Sequence, residues 1–140
     1  NLIKGFDGLK LNAYQDSVGI WTIGYGNITY EDGSKVKKGD VISQEKANSL
    51  FNFYADKFAT KVSSLIKKDL TQNQFNSIVS LAYNIGPGAL SNSTILRKVN
   101  LNPNDMSIKT EFLKWVKAGG KTIQGLVNRR VRESELYFKK

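Results

Sequence analysis

The stretch between residues 7 and 26 constrains the fold of this chain most strongly. It is rich in residues that favour β-strands, and Asp16 and several glycines interrupt them, which indicates a small antiparallel sheet. Asp7, Asp16 and Thr22 lie within sixteen residues of each other, ahead of a Gly-Tyr-Gly tripeptide at 24–26. A strand and a turn could bring the two carboxyl groups together, and paired carboxyl groups can act as acid and base. Acids nine positions apart are also common in solvated loops, so the spacing alone leaves both interpretations open.

Beyond residue 42 the apolar pattern changes to the period of helices. Ser43 can cap a helix of about 23 residues, roughly 35 Å long. One face of that helix is apolar, with Ala47, Leu50, Phe51, Tyr54, Phe58, Val62 and Leu65. Thr71 and Gln74 form a capping-box pattern ahead of a second helix, which ends at Gly86-Pro87-Gly88.

Three more helices are predicted towards the carboxyl terminus. A short one begins at Ser91 or Ser93, and Pro103 takes the first position of the next, which Gly119-Gly120 ends. In the last helix the apolar residues face inward, and Arg129, Arg130 and Arg132 face mostly outward. Where Arg129 and Arg130 make contacts, they are expected to tie the helix to neighbouring carbonyls or acids. The sequence therefore predicts an α+β fold.

The residue types that are missing exclude several classes of enzyme. The 140 residues contain no Cys and no His. This excludes disulfides, thiolate metal sites, Ser-His and Cys-His catalysis and the usual zinc motifs. Carboxylates, hydroxyls, lysines and tyrosines remain for chemistry, and this favours a hydrolase that uses two carboxylates over most other classes of enzyme. No metal and no cofactor are expected. The length and a hydrophobic content of 40% fit one globular domain, and neither a membrane span nor a signal peptide is visible.

The chain is strongly basic. Its formal net charge is +9, and residues 109–140 carry nine Lys and Arg against three Glu. A basic surface promotes encounter with polyanions and makes binding sensitive to salt. Anionic cell-envelope polymers and nucleic acid both fit that description, and the charge alone does not choose between them.

Several blocks of sequence carry a resemblance to a known family. They are FDGLKLNAYQD at 6–16, VGIWTIGYG at 18–26, LTQNQF at 70–75, YNIGPGA at 83–89, FLKWVKAGGK at 112–121 and GLVNRR at 125–130. In this order, and over nearly the whole chain, they resemble the phage-type lysozymes of glycoside hydrolase family 24.

The resemblance implies a single lysozyme-like domain over residues 1–140. It implies an amino-terminal lobe with the sheet over about residues 1–42 and a connecting helix over about 43–66. An all-helical carboxyl-terminal lobe follows over about 67–140, and a substrate groove lies between the lobes.

The implied activity is that of a muramidase, which hydrolyses the β-1,4 bond between N-acetylmuramic acid and N-acetylglucosamine in peptidoglycan. Asp7 would protonate the leaving oxygen, and Asp16 and Thr22 would direct water from the opposite face. This is the inverting arrangement, which places the two carboxyl groups about 6.5–9.5 Å apart. Ile28, Tyr83 and Ser93 fall where the family lines its cleft and are the predicted substrate-binding residues.

Two positions depart from the family pattern. Asp7 stands where the family carries a glutamate, and Asn27 stands where a histidine usually follows Gly-Tyr-Gly. Aspartate is one methylene shorter, about 1.5 Å in reach, and a misplacement of about 1 Å can cost roughly a hundredfold in rate. The sequence therefore predicts an enzyme of reduced turnover.

Two other interpretations remain open. A lysozyme fold with a blunted acid could serve as an inactive peptidoglycan-binding or structural module. A nucleic-acid-binding protein is disfavoured, because the acids cluster near the amino terminus and no nucleic-acid motif is recognised. We expect a monomer that acts at the bacterial cell wall, in the periplasm or outside, and binds peptidoglycan and anionic envelope polymers. If phage-encoded, it would be made in the host cytoplasm.

Overall fold

The structure is a computed structural model that describes residues 4–5 and 8–140. It divides into two compact units: the first unit is Asn1–Asp56 and the second unit is Lys57–Lys140. The predicted acid Asp7 lies outside the described residues, as does most of the first predicted helix, including Leu2, Ile3 and Phe6. Within the described residues, none of the helices is both long and apolar enough to cross a membrane.

The first unit contains the predicted antiparallel sheet, formed by β1 (Lys10–Gln15) and β2 (Trp21–Gly24). Tyr14 pairs with Thr22 and Gln15 with Trp21, and the register is irregular between Lys10 and Tyr14. After β2 the chain turns back on itself, and Ile23 and Asn27 exchange N–H···O bonds of 2.8 and 2.9 Å. Gly24 and Gly26 have φ values of +67° and +80°, a conformation that glycine adopts without steric cost.

Helix α1 (Gln44–Leu65) begins in the first unit and continues into the second. Ser43 Oγ accepts a hydrogen bond from Lys46 N–H at 3.1 Å, as the predicted cap requires. Its apolar face contributes to the core of the first unit, where Leu50 packs with Ile23 and Val36. The boundary between the two units falls inside this helix.

The second unit is mainly helical. Its elements are α2 (Gln72–Ile85), α3 (Pro87–Ser91), α4 (Thr94–Leu101), α5 (Ile108–Phe112) and α6 (Gln124–Phe138). The predicted capping box is confirmed, because Thr71 Oγ1 accepts from Gln74 N–H at 3.1 Å and Gln74 Oε1 accepts from Thr71 N–H at 2.9 Å. Ser93 caps α4, one of the two starts that the sequence offered.

The carboxyl-terminal region is not all-helical, contrary to the prediction. Strands β3 (Lys117–Ala118) and β4 (Lys121–Thr122) form a hairpin in the second unit. Gly119 and Gly120 have φ values of +59° and +79°, and two-residue hairpin turns of type I′ need positive φ at both central residues. The glycine pair therefore reverses a hairpin, and the preceding helix ends at Phe112.

Pro103 is likewise not the first residue of a helix. It lies in a turn that side chains organise: Asn102 Oδ1 accepts from Asn104 N–H at 3.0 Å, and Asp105 Oδ1 accepts from Ser107 N–H at 2.9 Å. Such side-chain bonds compete with helical ones, so α5 begins only at Ile108.

The predicted outward orientation of the arginines on α6 is wrong for two of the three. Arg129 and Arg130 are 4% and 0% exposed, whereas Arg132 is exposed. The two buried guanidinium groups lie against Glu133 of the same helix, at 3.3 and 2.8 Å. Arg129 also donates to the carbonyl of Ser80 at 3.1 Å, so the expected ties to neighbouring acids and carbonyls are confirmed.

Candidate active site

Asp16 lies immediately after β1, in the loop that leads to β2. Its carboxylate oxygen Oδ1 accepts hydrogen bonds from the backbone N–H groups of Val18 and Ile20, both at 2.9 Å. The Asp16 N–H in turn donates to the Ile20 carbonyl at 2.9 Å. The loop therefore fixes the direction of the carboxylate through its own backbone. Within the described part of the chain both carboxylate bonds end on Oδ1, and Oδ2 has no protein partner there.

Thr22 lies on β2 and is 4% exposed. Its hydroxyl donates to the carbonyl of Ile20 at 2.9 Å. Asp16 and Thr22 are thus bonded to the same residue, the carboxylate to its N–H and the hydroxyl to its carbonyl. Because the Thr22 proton is directed to Ile20, the lone pairs of Oγ1 can accept a hydrogen bond from a water molecule.

A second acid, Asp40, stabilises the region next to the β1–β2 sheet. Tyr30 donates its hydroxyl proton to Asp40 Oδ2 at 2.8 Å, and the Lys37 N–H donates to the same oxygen at 2.9 Å. These bonds hold the pKa of Asp40 below its ordinary value, with the Lys37 N–H contributing most. Burial, aided by Asp40, raises the pKa of Tyr30 to about 12. The carbonyl of Asp40 accepts from Ala13 N–H on β1 at 2.9 Å, so this acid is structural.

Ile28, a predicted substrate-binding residue, lies in the first unit and is 47% exposed. The backbone around it is well fixed. The Ile28 carbonyl accepts from Val36 N–H at 3.0 Å, and the next residue, Thr29, shares a 2.7 Å hydrogen bond with the Tyr54 hydroxyl. An exposed apolar side chain on a fixed backbone suits contact with the apolar face of a sugar ring.

Tyr83 and Ser93, the other predicted substrate-binding residues, lie in the second unit. Tyr83 is half-buried near the end of α2 and packs edge to face against Phe58, with ring centroids 5.5 Å apart. Ser93 is buried, and its hydroxyl donates to the Leu90 carbonyl at 2.6 Å and accepts from Leu96 N–H at 3.1 Å. The cap of α4 thus gives Ser93 a structural role, and substrate contact by either residue stays a prediction.

Two described residues, Lys4 and Gly8, precede and follow Asp7 in the sequence. Lys4 and Gly5 are helical, and Gly8 N–H donates to the Lys4 carbonyl at 2.9 Å. Gly8 has a φ of +64°, which is typical of a glycine that ends a helix. The backbone is therefore anchored on both sides of Asp7 in the sequence.

Comparison with known proteins identifies the family of the chain. A family model described as phage lysozyme matches residues 4–133. The endolysin of Bacillus phage B103 is 45% identical over 140 residues, which are 99% of this chain and 51% of that protein. The endolysin of Salmonella phage P22 is 40% identical over 136 residues, which are 97% of this chain and 92% of that protein.

The solved structures include the endolysin of Escherichia coli O157:H7 phage FAHEc1. It matches with a TM-score of 0.86 and 39% identity, over 99% of this chain and 89% of that one. The fold is therefore of the lysozyme-like α+β class, as the sequence predicts. The chain belongs to the phage lysozyme family. It spans about half the length of the Bacillus phage relatives that it matches.

The sequence did not single out every residue that shapes the site. Ile20 links Asp16 to Thr22 only through its backbone groups, which no side-chain pattern reveals. Lys4 contacts Tyr25 and Phe51 across 21 and 47 positions of sequence, and no local signal predicts that contact.

Proposed function

We propose that this chain is a muramidase that hydrolyses the β-1,4 bond between N-acetylmuramic acid and N-acetylglucosamine in bacterial peptidoglycan. The observation that carries the proposal is the loop in which Asp16 and Thr22 share Ile20. It orients a carboxylate and a hydroxyl by backbone bonds, as a site that positions water requires. Family membership supports the choice of a glycan substrate.

In the proposed reaction Asp7 is the general acid and Asp16 is the general base. A water molecule donates one hydrogen bond to Asp16 Oδ2 and the other to Thr22 Oγ1. These two bonds orient a lone pair of the water oxygen towards the anomeric carbon. As the water attacks, Asp16 takes its proton, and Asp7 gives a proton to the leaving oxygen. The water arrives on the face opposite the leaving group, so the configuration at the anomeric carbon inverts.

Ile28, Tyr83 and Ser93 are proposed to contact the glycan. The proposed place of action is the bacterial cell wall, in the periplasm or outside, and the protein acts there as a monomer. Its basic residues bind anionic envelope polymers and so concentrate it on the wall. The exposed cations of the last 32 residues are Lys109, Lys114, Lys117, Lys121, Arg132, Lys139 and Lys140, and Lys114 also forms an ion pair with Glu111.

The test combines cleavage, stereochemistry and binding. Purified walls should clear, and proton NMR of a soluble glycan should show the inverted anomer as the first product. Asp7→Asn should abolish both signals, because an amide has no proton to give to the leaving oxygen. First appearance of the retained anomer would refute the proposed roles of Asp16 and Thr22.

The second candidate is an inactive peptidoglycan-binding module. It is favoured by one observation, the shorter Asp7 at the position of the family's glutamate. Co-sedimentation with insoluble peptidoglycan separates the candidates. Binding without release of new reducing ends, in both the parent and Asp7→Glu, would support the module and overturn the muramidase.

A further inference from the structure

The ammonium group of Lys4 lies against two aromatic rings of the first unit. Lys4 Nζ is 5.0 Å from the ring centroid of Tyr25 and 4.9 Å from that of Phe51. The two rings themselves meet edge to face, with centroids 5.4 Å apart. Both distances lie within the roughly 6 Å over which an aromatic face attracts a cation. Lys4 therefore makes a cation–π contact with both rings at once.

Both rings are held firmly by their surroundings. Tyr25 lies in the turn that follows β2, and Phe51 lies on α1; both are buried. The Tyr25 hydroxyl donates to Asn48 Oδ1 on the same helix at 3.3 Å. Lys4 thus attaches the amino-terminal segment to the β2 turn and to α1 together.

The backbone of Lys4 anchors the same segment at a second point. Its carbonyl accepts the 2.9 Å hydrogen bond from Gly8 N–H. Asp7 directly precedes Gly8 in the sequence. Lys4 therefore connects Gly8, the residue after the proposed acid in the sequence, to the turn that follows β2.

From these contacts we propose that Lys4 is a positioning residue: its ammonium group on the Tyr25 and Phe51 rings holds the backbone at Gly8, the residue that follows Asp7 in the sequence, against the β2 turn and α1. The inference rests on the proposed function. A short acid makes the placement more critical, because a displacement of about 1 Å can cost roughly a hundredfold in rate. Lys4 acts through the segment and not on the substrate.

The first test measures kcat and KM on a soluble peptidoglycan glycan. Lys4→Met should lower kcat about tenfold and change KM less than about twofold, because placement of the acid matters in the transition state. Lys4→Arg should stay within about twofold of the parent, because a guanidinium group also binds aromatic faces. Lys38→Met removes the same charge from an exposed site of the first unit and should behave as the parent.

The second test does not depend on catalysis. Hydrogen exchange at the Gly8 amide reports on the segment directly, and it should be about tenfold faster in Lys4→Met and unchanged in Lys4→Arg. If Lys4→Met is unfolded at the assay temperature, Lys4→Gln replaces it in both tests.

Each result bears on one claim. Any of three results would overturn the positioning role. The first is an equal kcat in Lys4→Met and Lys38→Met, and the second is unaltered hydrogen exchange at Gly8 in Lys4→Met. The third is a loss of kcat in Lys4→Arg as large as that in Lys4→Met. If the parent itself releases no product, the proposed function fails. Hydrogen exchange at Gly8 then tests by itself whether Lys4 holds this part of the backbone in place.

Discussion

The two units hold their central acids in opposite ways. In the first unit the half-buried Asp16 is oriented by two backbone N–H groups, both on Oδ1. In the second unit Glu133 is fully buried and both of its oxygens face cations. Oδ2 of Asp16 has no protein partner among the described residues, whereas both oxygens of Glu133 are enclosed by the protein.

The enclosure of Glu133 is made by side chains from two helices. Arg130 Nε lies 2.8 Å from Oε1 and Arg129 Nε lies 3.3 Å from Oε2, and Ser80 on α2 donates its hydroxyl proton to Oε2. Burial raises the pKa of Glu133, and the two guanidinium groups and Ser80 oppose that shift. Arg130 also donates to Asn84 Oδ1 at 2.9 Å, so the cluster ties α6 to α2.

The difference indicates how an acid that supports the fold can be distinguished from an acid that takes part in a reaction. An acid that supports the fold is enclosed by cations and donors of the protein, so that its removal leaves buried charges without a counter-charge. An acid that takes part in a reaction is oriented by hydrogen bonds and has one oxygen available to accept a hydrogen bond from the substrate or from water. Substitutions in the two units should therefore affect different measurements.

The largest effect is expected at the loop of the first unit. Asp16→Asn should lower wall-clearing activity about a thousandfold, roughly 4 kcal/mol of barrier, because the amide cannot take the proton from water. Thr22→Ala should also lower activity. Differential scanning calorimetry should show nearly unchanged thermal midpoints, with the exposed Asp56→Asn as control. Normal activity in either purified variant would remove that residue from the mechanism.

The next largest effect is expected in the second unit. Glu133→Gln should lower the free energy of unfolding by about 3 kcal/mol, because it leaves two buried guanidinium groups without a counter-charge. Urea denaturation measures this change. Glu135→Gln, at an exposed position two residues further along α6, should change it by less than about 0.5 kcal/mol. An equally small change at position 133 would mean that the cluster does not stabilise this unit.

A smaller effect is expected from the exposed lysines of the second unit. Changing Lys117, Lys121, Lys139 and Lys140 to Glu should weaken binding to insoluble walls about tenfold at low salt and flatten its salt dependence. Turnover of a short neutral glycan should barely change. In the matched control, four exposed lysines of the first unit are changed to Glu: Lys10, Lys35, Lys37 and Lys38. A parental salt slope in the first variant would refute this role.

The smallest effect concerns Tyr30 in the first unit. Its pKa is raised to about 12 in the folded chain, so the folded state holds this proton more tightly than the unfolded state, where the pKa is about 10. The resulting stabilisation, about 1 kcal/mol after solvent screening, is fully present below pH 10 and is lost as the pH rises towards 12. In Tyr30→Phe, the free energy of unfolding should not show this decrease between pH 10 and pH 12. Parallel curves for parent and variant across that window would contradict the raised pKa of Tyr30, which burial causes first and the bond to Asp40 second.

Local signals predicted much of this fold. The capping box at Thr71 and Gln74 and the apolar face of α1 depend on residues within one or two turns, and both are confirmed. The glycine pair at 119–120 was misjudged because positive φ serves the end of a helix and the turn of a hairpin equally. Only its surroundings in the folded chain decide between the two.

Part of the candidate site could also be predicted, and the roles of its residues stay proposals. Spacing and family resemblance singled out Asp16 and Thr22, and their link through Ile20 needed coordinates. The inward arginines of α6 were missed because Arg129 bonds Ser80 and Arg130 bonds Asn84, which lie 49 and 46 positions away in the sequence. Long-range partners of this kind leave no periodic mark on a sequence.

The most direct test of the account is the turnover number of Asp7→Glu on purified peptidoglycan, relative to the parent. If the segment that Lys4 anchors is placed as in the family, the added methylene brings the carboxyl group to the glycosidic oxygen. Turnover should then rise about tenfold or more, equivalent to about 1.4 kcal/mol of barrier, with KM little changed. A fall in turnover from a vigorous parental rate would contradict the account, because it would show a site built around aspartate.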